Sequence, residues 1–219
     1  MSLVVNNQDI LIHSKSLEIL RATKGFVVTM HKNPNAEEFN TFRSYVRQHI
    51  DMIANLCFEN YSEEISMLLV IPLLAYIDEK CSILSSKEFS SSVLWLPLLV
   101  NYYECNNGGE YAFDIYDKII ANKIYPNILY INSYYILNEG FEGKYYESAN
   151  KKDLNKYIAT FKNICLDISK SFKSSYVPCE IKVPTNYSKF GSAVYNLLFY
   201  GIAIITPLTL YVMTLKIVF

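Results

Sequence analysis

Between Lys189 and Lys216 the chain runs for 26 residues without a charge, FGSAVYNLLFYGIAIITPLTLYVMTL. No other segment restricts the fold as strongly. As a helix rising about 1.5 Å per residue it reaches about 39 Å, enough to cross a hydrocarbon layer of about 30 Å with tilt. Tyr195, Tyr200 and Tyr211 suit the two membrane interfaces. The alternative is a buried core helix, which seldom stays uncharged for so long. Only Ile217, Val218 and Phe219 follow Lys216. Residues 190–216 therefore read as a transmembrane tail anchor, inserted after the bulk of the chain has folded, with a short far-side tail at 217–219. Lys170, Lys173, Lys182 and Lys189 stand on the near side, and the lysine bias of cytoplasmic flanks places the large N-terminal part in the cytoplasm. The opening MSLVVNNQDIL is too polar for a secretory signal.

The length of 219 residues suits one domain plus an appendage. An apolar fraction of 51%, with 19 Tyr, supplies a packed core and excludes a disordered chain. A net charge of −1 gives no basic face for nucleic acid, so none is expected as a partner. Charge is nonetheless uneven: five acids and no base from Glu59 to Glu79, and seven lysines against three acids from Lys144 to Lys173. The plain reading is solvated helix faces. Cys57, Cys81, Cys105, Cys165 and Cys179 are odd in number and show no C-x-x-C spacing. Reduced thiols fit better than a disulfide framework or a zinc site. His13, His31 and His49 lack a second ligand at helical spacing, and no metal or cofactor is expected.

The pattern is helical almost throughout. Asn35 can cap a helix in which Phe39, Phe42, Val46, Ile50, Ile53 and Cys57 form one apolar stripe. Ser62 begins a second helix, in which Pro72 should make a kink or mark the true start. A short segment spans Trp95 to Tyr103. Helices follow from Glu110 to about Ala121, from Pro126 to about Asn138, and from about Lys151 to Phe172. The last carries Leu154, Ile158, Phe161, Cys165 and Ile168 as its core stripe. Pro178 and Pro184 make the next stretch a linker. The expected architecture is an all-α bundle of six or seven helices: an N-terminal segment at 1–35, partly helical, a cytoplasmic bundle at 36–174, a linker at 175–189 and the anchor.

Three short motifs invite a functional reading. NNGGEYAFDIYDKII has the glycine pair of a phosphate loop, but no strand precedes it, and Glu110 stands where a cation would be wanted. A carboxylate there favours a helix N-terminus and repels phosphate. Gly108 and Gly109 therefore read as a tight turn between helices, capped by Asn106 or Asn107. In AYIDEKCS, Asp78 and Glu79 are adjacent and point about 100° apart, too divergent for shared acid-base work or chelation. In NEGFEGKYY, Gly140 suits a helix-terminating position with positive φ, with Phe141 docking back on the bundle before Gly143. Each also has a purely structural reading. No G-x-S-x-G occurs, and no histidine stands near a plausible nucleophile.

AYIDEK, NNGGEYAFDIYDKI and LNEGFEGKYY, in this order before a long helix and a terminal membrane segment, resemble the DotU/TssL proteins of type IVb and type VI secretion systems. The resemblance covers roughly Tyr76 to Tyr146. It implies a non-enzymatic, single-pass protein of the bacterial inner membrane whose cytoplasmic domain is a hook of two small bundles. It implies an IcmF/TssM-like inner-membrane partner and a connection to the cytoplasmic baseplate, with a homodimer through the membrane helix as a further option. Asp78 and Glu79 fall on the family's acidic pair and become the candidate partner-binding residues. Gly108, Gly109 and Glu110 fall on its Gly-Gly-Glu, and Gly140, Phe141 and Gly143 on its glycine turn. Some members continue past the anchor into a peptidoglycan-binding domain, whereas this sequence stops at Phe219, so attachment to the cell wall is expected through a partner. The other reading open to the sequence is a tail-anchored adaptor that recruits a cytosolic protein outside any secretion system.

Overall fold

The computed structural model describes residues 7–32, 35–88, 95–122 and 124–175. Among them are seven α-helices, a short 3-10 turn and no strand. The helices are α1 (Asn7–Lys32), α2 (Ala36–Asn60), α3 (Glu63–Glu88), α4 (Leu98–Tyr103), α5 (Gly108–Ala121), α6 (Asn127–Asn138) and α7 (Lys152–Ser175), with the 3-10 turn at Gly143–Tyr145.

The order of packing follows from the apolar patterning. From Leu68 to Asp78 every residue of α3 is buried, the mark of a helix apolar on all sides and therefore central. It touches α1, α2, α4, α5, α6 and the 3-10 turn. Pro72 sits inside α3 and does not mark its start. The helix begins at Glu63, where the Ser62 hydroxyl accepts from the Ile65 amide at 3.3 Å. The Asn35 side chain accepts from the Glu37 amide and caps α2. The stripe from Phe39 to Cys57 is buried along the full length of that helix.

Packing begins well before residue 36. α1 lies against α2, α3 and α6, and Ile12, Ser16, Ile19, Leu20, Thr23 and Met30 form its buried face. Two of these are hydroxyl residues, which blurs the stripe in the sequence. Each bonds its own helix instead: Ser16 donates to the Ile12 carbonyl at 2.9 Å and Thr23 to the Ile19 carbonyl at 2.8 Å. With its hydroxyl so occupied, each presents carbon to the core.

The same core continues among α5, α6 and α7. Phe113 stacks on Phe141 at 5.8 Å, and Tyr116 meets Phe161 edge-on at 5.4 Å. Among the described residues no helix is long and apolar enough to cross a membrane. The span at 190–216, its linker and the tail lie outside the described residues.

Candidate functional site

Asp78 and Glu79 stand side by side on α3 and serve different neighbours. Asp78 is 7% exposed. Its Oδ1 accepts from the Trp95 indole at 2.7 Å and the Leu98 amide at 2.8 Å, and its Oδ2 from the Leu99 amide at 2.9 Å. Leu98 and Leu99 open α4, whose N-cap is Pro97, a residue with no side-chain cap to offer. Asp78 therefore caps α4 from another helix, which satisfies amides that would otherwise be orphaned. Burial pushes its carboxyl above the ordinary range, opposed by the Leu99, Leu98 and Trp95 donors and by Arg43. The Arg43 guanidinium covers the Trp95 ring at 5.2 Å and donates to the Leu96 carbonyl.

Glu79 faces the turn after α6. Its side chain is 10% exposed, and its carboxylate accepts from the Glu142 amide at 3.1 Å and the Gly143 amide at 2.5 Å. Lys80, the next residue, ion-pairs with Glu79 at 2.8 Å and donates to the Gly140 carbonyl at 2.6 Å. The Asp-Glu-Lys triplet thus fastens two separate loops to α3. The sequence pointed to the acids but not to Lys80 or Trp95. A lysine next to a glutamate looks like surface, and only the fold brings Trp95 back to α3.

The turn itself ends α6. Gly140 has φ +91°, with its amide bonded to the Leu137 carbonyl at 3.1 Å, while the Phe141 amide reaches the Ile136 carbonyl at 3.3 Å. This is a Schellman arrangement, and Ile136 and Phe141, the residues at its two ends, are both buried. Gly143 has φ +48°. A Cβ there would lie 2.8 Å from the Gly109 carbonyl oxygen and 2.9 Å from the Phe113 and Phe141 rings.

Gly108 and Gly109 do not form the connecting turn expected of them. They are the first two residues of α5, and neither has positive φ. The turn precedes them at Glu104–Asn107, where Glu104 takes the left-handed conformation with φ +53°. The glycines are needed for close approach instead. A Cβ on Gly109 would lie 3.1 Å from the Gly143 backbone, and one on Gly108 would collide with the Leu99 side chain. Asn107 occupies the cap position without a side-chain cap bond; its amide group donates to Glu110 at 3.4 Å. Glu110 is exposed in the first turn of α5.

These contacts bring the motifs together. Asp78, Glu79, Gly108, Gly109, Phe141 and Gly143 all border one open groove of about 270 Å³. Ala75, Ser82, Ile83, Pro97, Leu99, Cys105, Asn106 and Tyr146 complete its wall. Gly140 and Glu110 do not border it. The two carboxylates at the groove are already engaged by backbone donors, so they shape it more than they offer free charge. Its remaining surface is largely apolar. Among the described residues no group of side chains could hold a metal ion. The Cys57 thiol is pushed up to about 12 by burial, and the Cys81 thiol is also raised by burial.

A family model described as type VI secretion system protein DotU matches residues 17–213 of this chain. A solved structure described as DotU from Francisella novicida is 31% identical, covers 71% of this chain and 98% of that one, and superposes with a TM-score of 0.65. No curated protein matches.

Proposed function

The chain belongs to the DotU family of type VI secretion system proteins, and from that premise we propose that it is a non-enzymatic component of the inner-membrane complex, joining an IcmF/TssM-like protein to the cytoplasmic baseplate. The observation that carries this reading is the convergence of three motifs, distant in sequence, on one groove. Packing alone would explain any one of them. Their shared border on an open surface is better explained by a partner that inserts there.

In this reading Asp78 and Glu79 act by fixing the two lips of the groove, α4 on one side and the Gly140–Tyr145 turn on the other. The partner touches the surface they hold in place. Residues 190–216 anchor the protein as a single span, with the helical domain in the cytoplasm, and two copies can meet through that span. We take the hook of two small bundles to be arranged about α3, the central helix, which packs on α1, α2, α5 and α6.

The test is capture from solubilised membranes with the full chain as bait. Ser82 borders the groove and is half-buried, so Ser82→Trp fills the groove without removing any of the carboxylate bonds. The expected result is an unchanged melting curve with loss of the IcmF-like or baseplate protein from the eluate. Wild-type capture by the filled variant would remove the groove from the mechanism. Absence of both partners from the wild-type eluate would remove the membrane-complex reading itself.

A further inference from the structure

A second concavity, of about 430 Å³, lies between the first turns of α3 and the exposed side of α5. Its floor is apolar: Leu68, Ile71 and Ile115 are buried and Met67 is half-buried. The residues that build it repeat at helical spacing, Glu63, Met67 and Ile71 on α3 and Tyr111, Ile115 and Lys118 on α5. Two helices therefore form its walls, the setting in which a third helix can lie.

The rim carries excess negative charge. Glu64 is matched by Lys118 at 2.7 Å and by the Tyr125 hydroxyl at 3.0 Å. Glu63 and Asp114 also border the concavity, both exposed, and neither has an ion-pair partner among the described residues. Two unneutralised carboxylates over an apolar floor select among occupants. A second copy meeting the same surface would set acid against acid, since a two-fold interface repeats each patch. An anionic lipid surface would be repelled for the same reason. A helix with one apolar and one basic face is complementary in both respects.

We propose that this groove docks a basic amphipathic helix of a partner protein. Its apolar side chains rest on Met67, Leu68, Ile71 and Ile115, and a lysine or arginine lies beside each of Glu63 and Asp114. The groove is separate from the one bordered by the motifs, and its occupancy does not depend on the partner assigned to that groove.

The experiment places a photo-crosslinking phenylalanine analogue at Met67 of the full chain in its own membranes and sequences the crosslinked peptide. The expected adduct is with another protein, through a segment bearing at least two lysines or arginines at helical spacing. Glu63→Lys with Asp114→Lys should lower its yield by about tenfold, and raising the salt concentration should lower it in the unmodified rim. Should the charge-reversed protein not fold, Glu63→Gln with Asp114→Asn carries the comparison, with a smaller loss expected. The proposal is overturned by the lack of any protein adduct, by adducts only with a second copy or with lipid, or by a crosslinked segment without basic residues. It is equally overturned if either folded rim variant keeps the wild-type yield.

Discussion

Replacing Asp78 by alanine would leave the Trp95 indole and the Leu98 and Leu99 amides buried without an acceptor. An orphaned buried donor costs about 1–3 kcal/mol, against a total stability of about 5–15 kcal/mol. Asp78→Asn keeps the shape and one acceptor oxygen for two of the three donors but turns an NH2 toward the third, so it should restore stability only in part. We expect both to lower the melting temperature of the purified full chain by several degrees, at roughly 2–4 °C per kcal/mol for a chain of this size. An unchanged transition would show that another acceptor serves α4. The two positive-φ glycines separate strain from space. Around Gly140 a Cβ would meet only the Lys80 ammonium at 3.9 Å, so Gly140→Ala should carry the backbone term alone, about 1–3 kcal/mol. At Gly143 the same Cβ also meets the Gly109 carbonyl and two rings. Gly143→Ala should therefore melt below Gly140→Ala, and the reverse order would mean that the α5 contact yields easily.

At the scale of elements, α1 shows how a core helix can be hidden in its sequence. Ser16 and Thr23 break the apolar stripe on paper, yet both lie buried with their hydroxyls bonded one turn back. The Ile19 carbonyl keeps its helical partner if Thr23 loses its hydroxyl. Thr23→Val should therefore change stability by no more than about 0.5 kcal/mol, while Thr23→Asp should destabilise by at least about 2 kcal/mol because it buries an unpaired charge. Comparable denaturation midpoints for the two variants would place α1 outside the core. α2 was fully legible, since Asn35 and a stripe of six apolar residues leave one face to bury. α3 was legible as apolar but not as central. Being buried on every side from Leu68 to Asp78, it has no face there that periodicity can find.

At the scale of the molecule, the contacts of α1 with α2, α3 and α6 make the N-terminal helix part of the fold. Deleting residues 1–34 should expose the apolar side of α3 and give an aggregating protein. Deleting residues 190–219, in the reading of that segment as an anchor, should release a folded helical domain from carbonate-washed membranes; continued sedimentation with the membranes would count against the anchor. Reading along the chain yields the helical class, the α2 stripe, the helix ends at Asn35 and Gly140, and the expectation of a terminal span. All of these are local, because caps, glycines and 3.6-residue periodicity act within a few residues of chain. The packing of distant segments settled which groups the acidic pair bonds. Whether a carboxylate is free or engaged depends on which distant amides arrive beside it, and here Leu98, Leu99, Glu142 and Gly143 do. It likewise decided that Gly108 and Gly109 are small because the Leu99 side chain and the Gly143 backbone press on them. A glycine's missing Cβ leaves no local trace of what approaches from elsewhere in the chain, so that reason appears only when the helices pack.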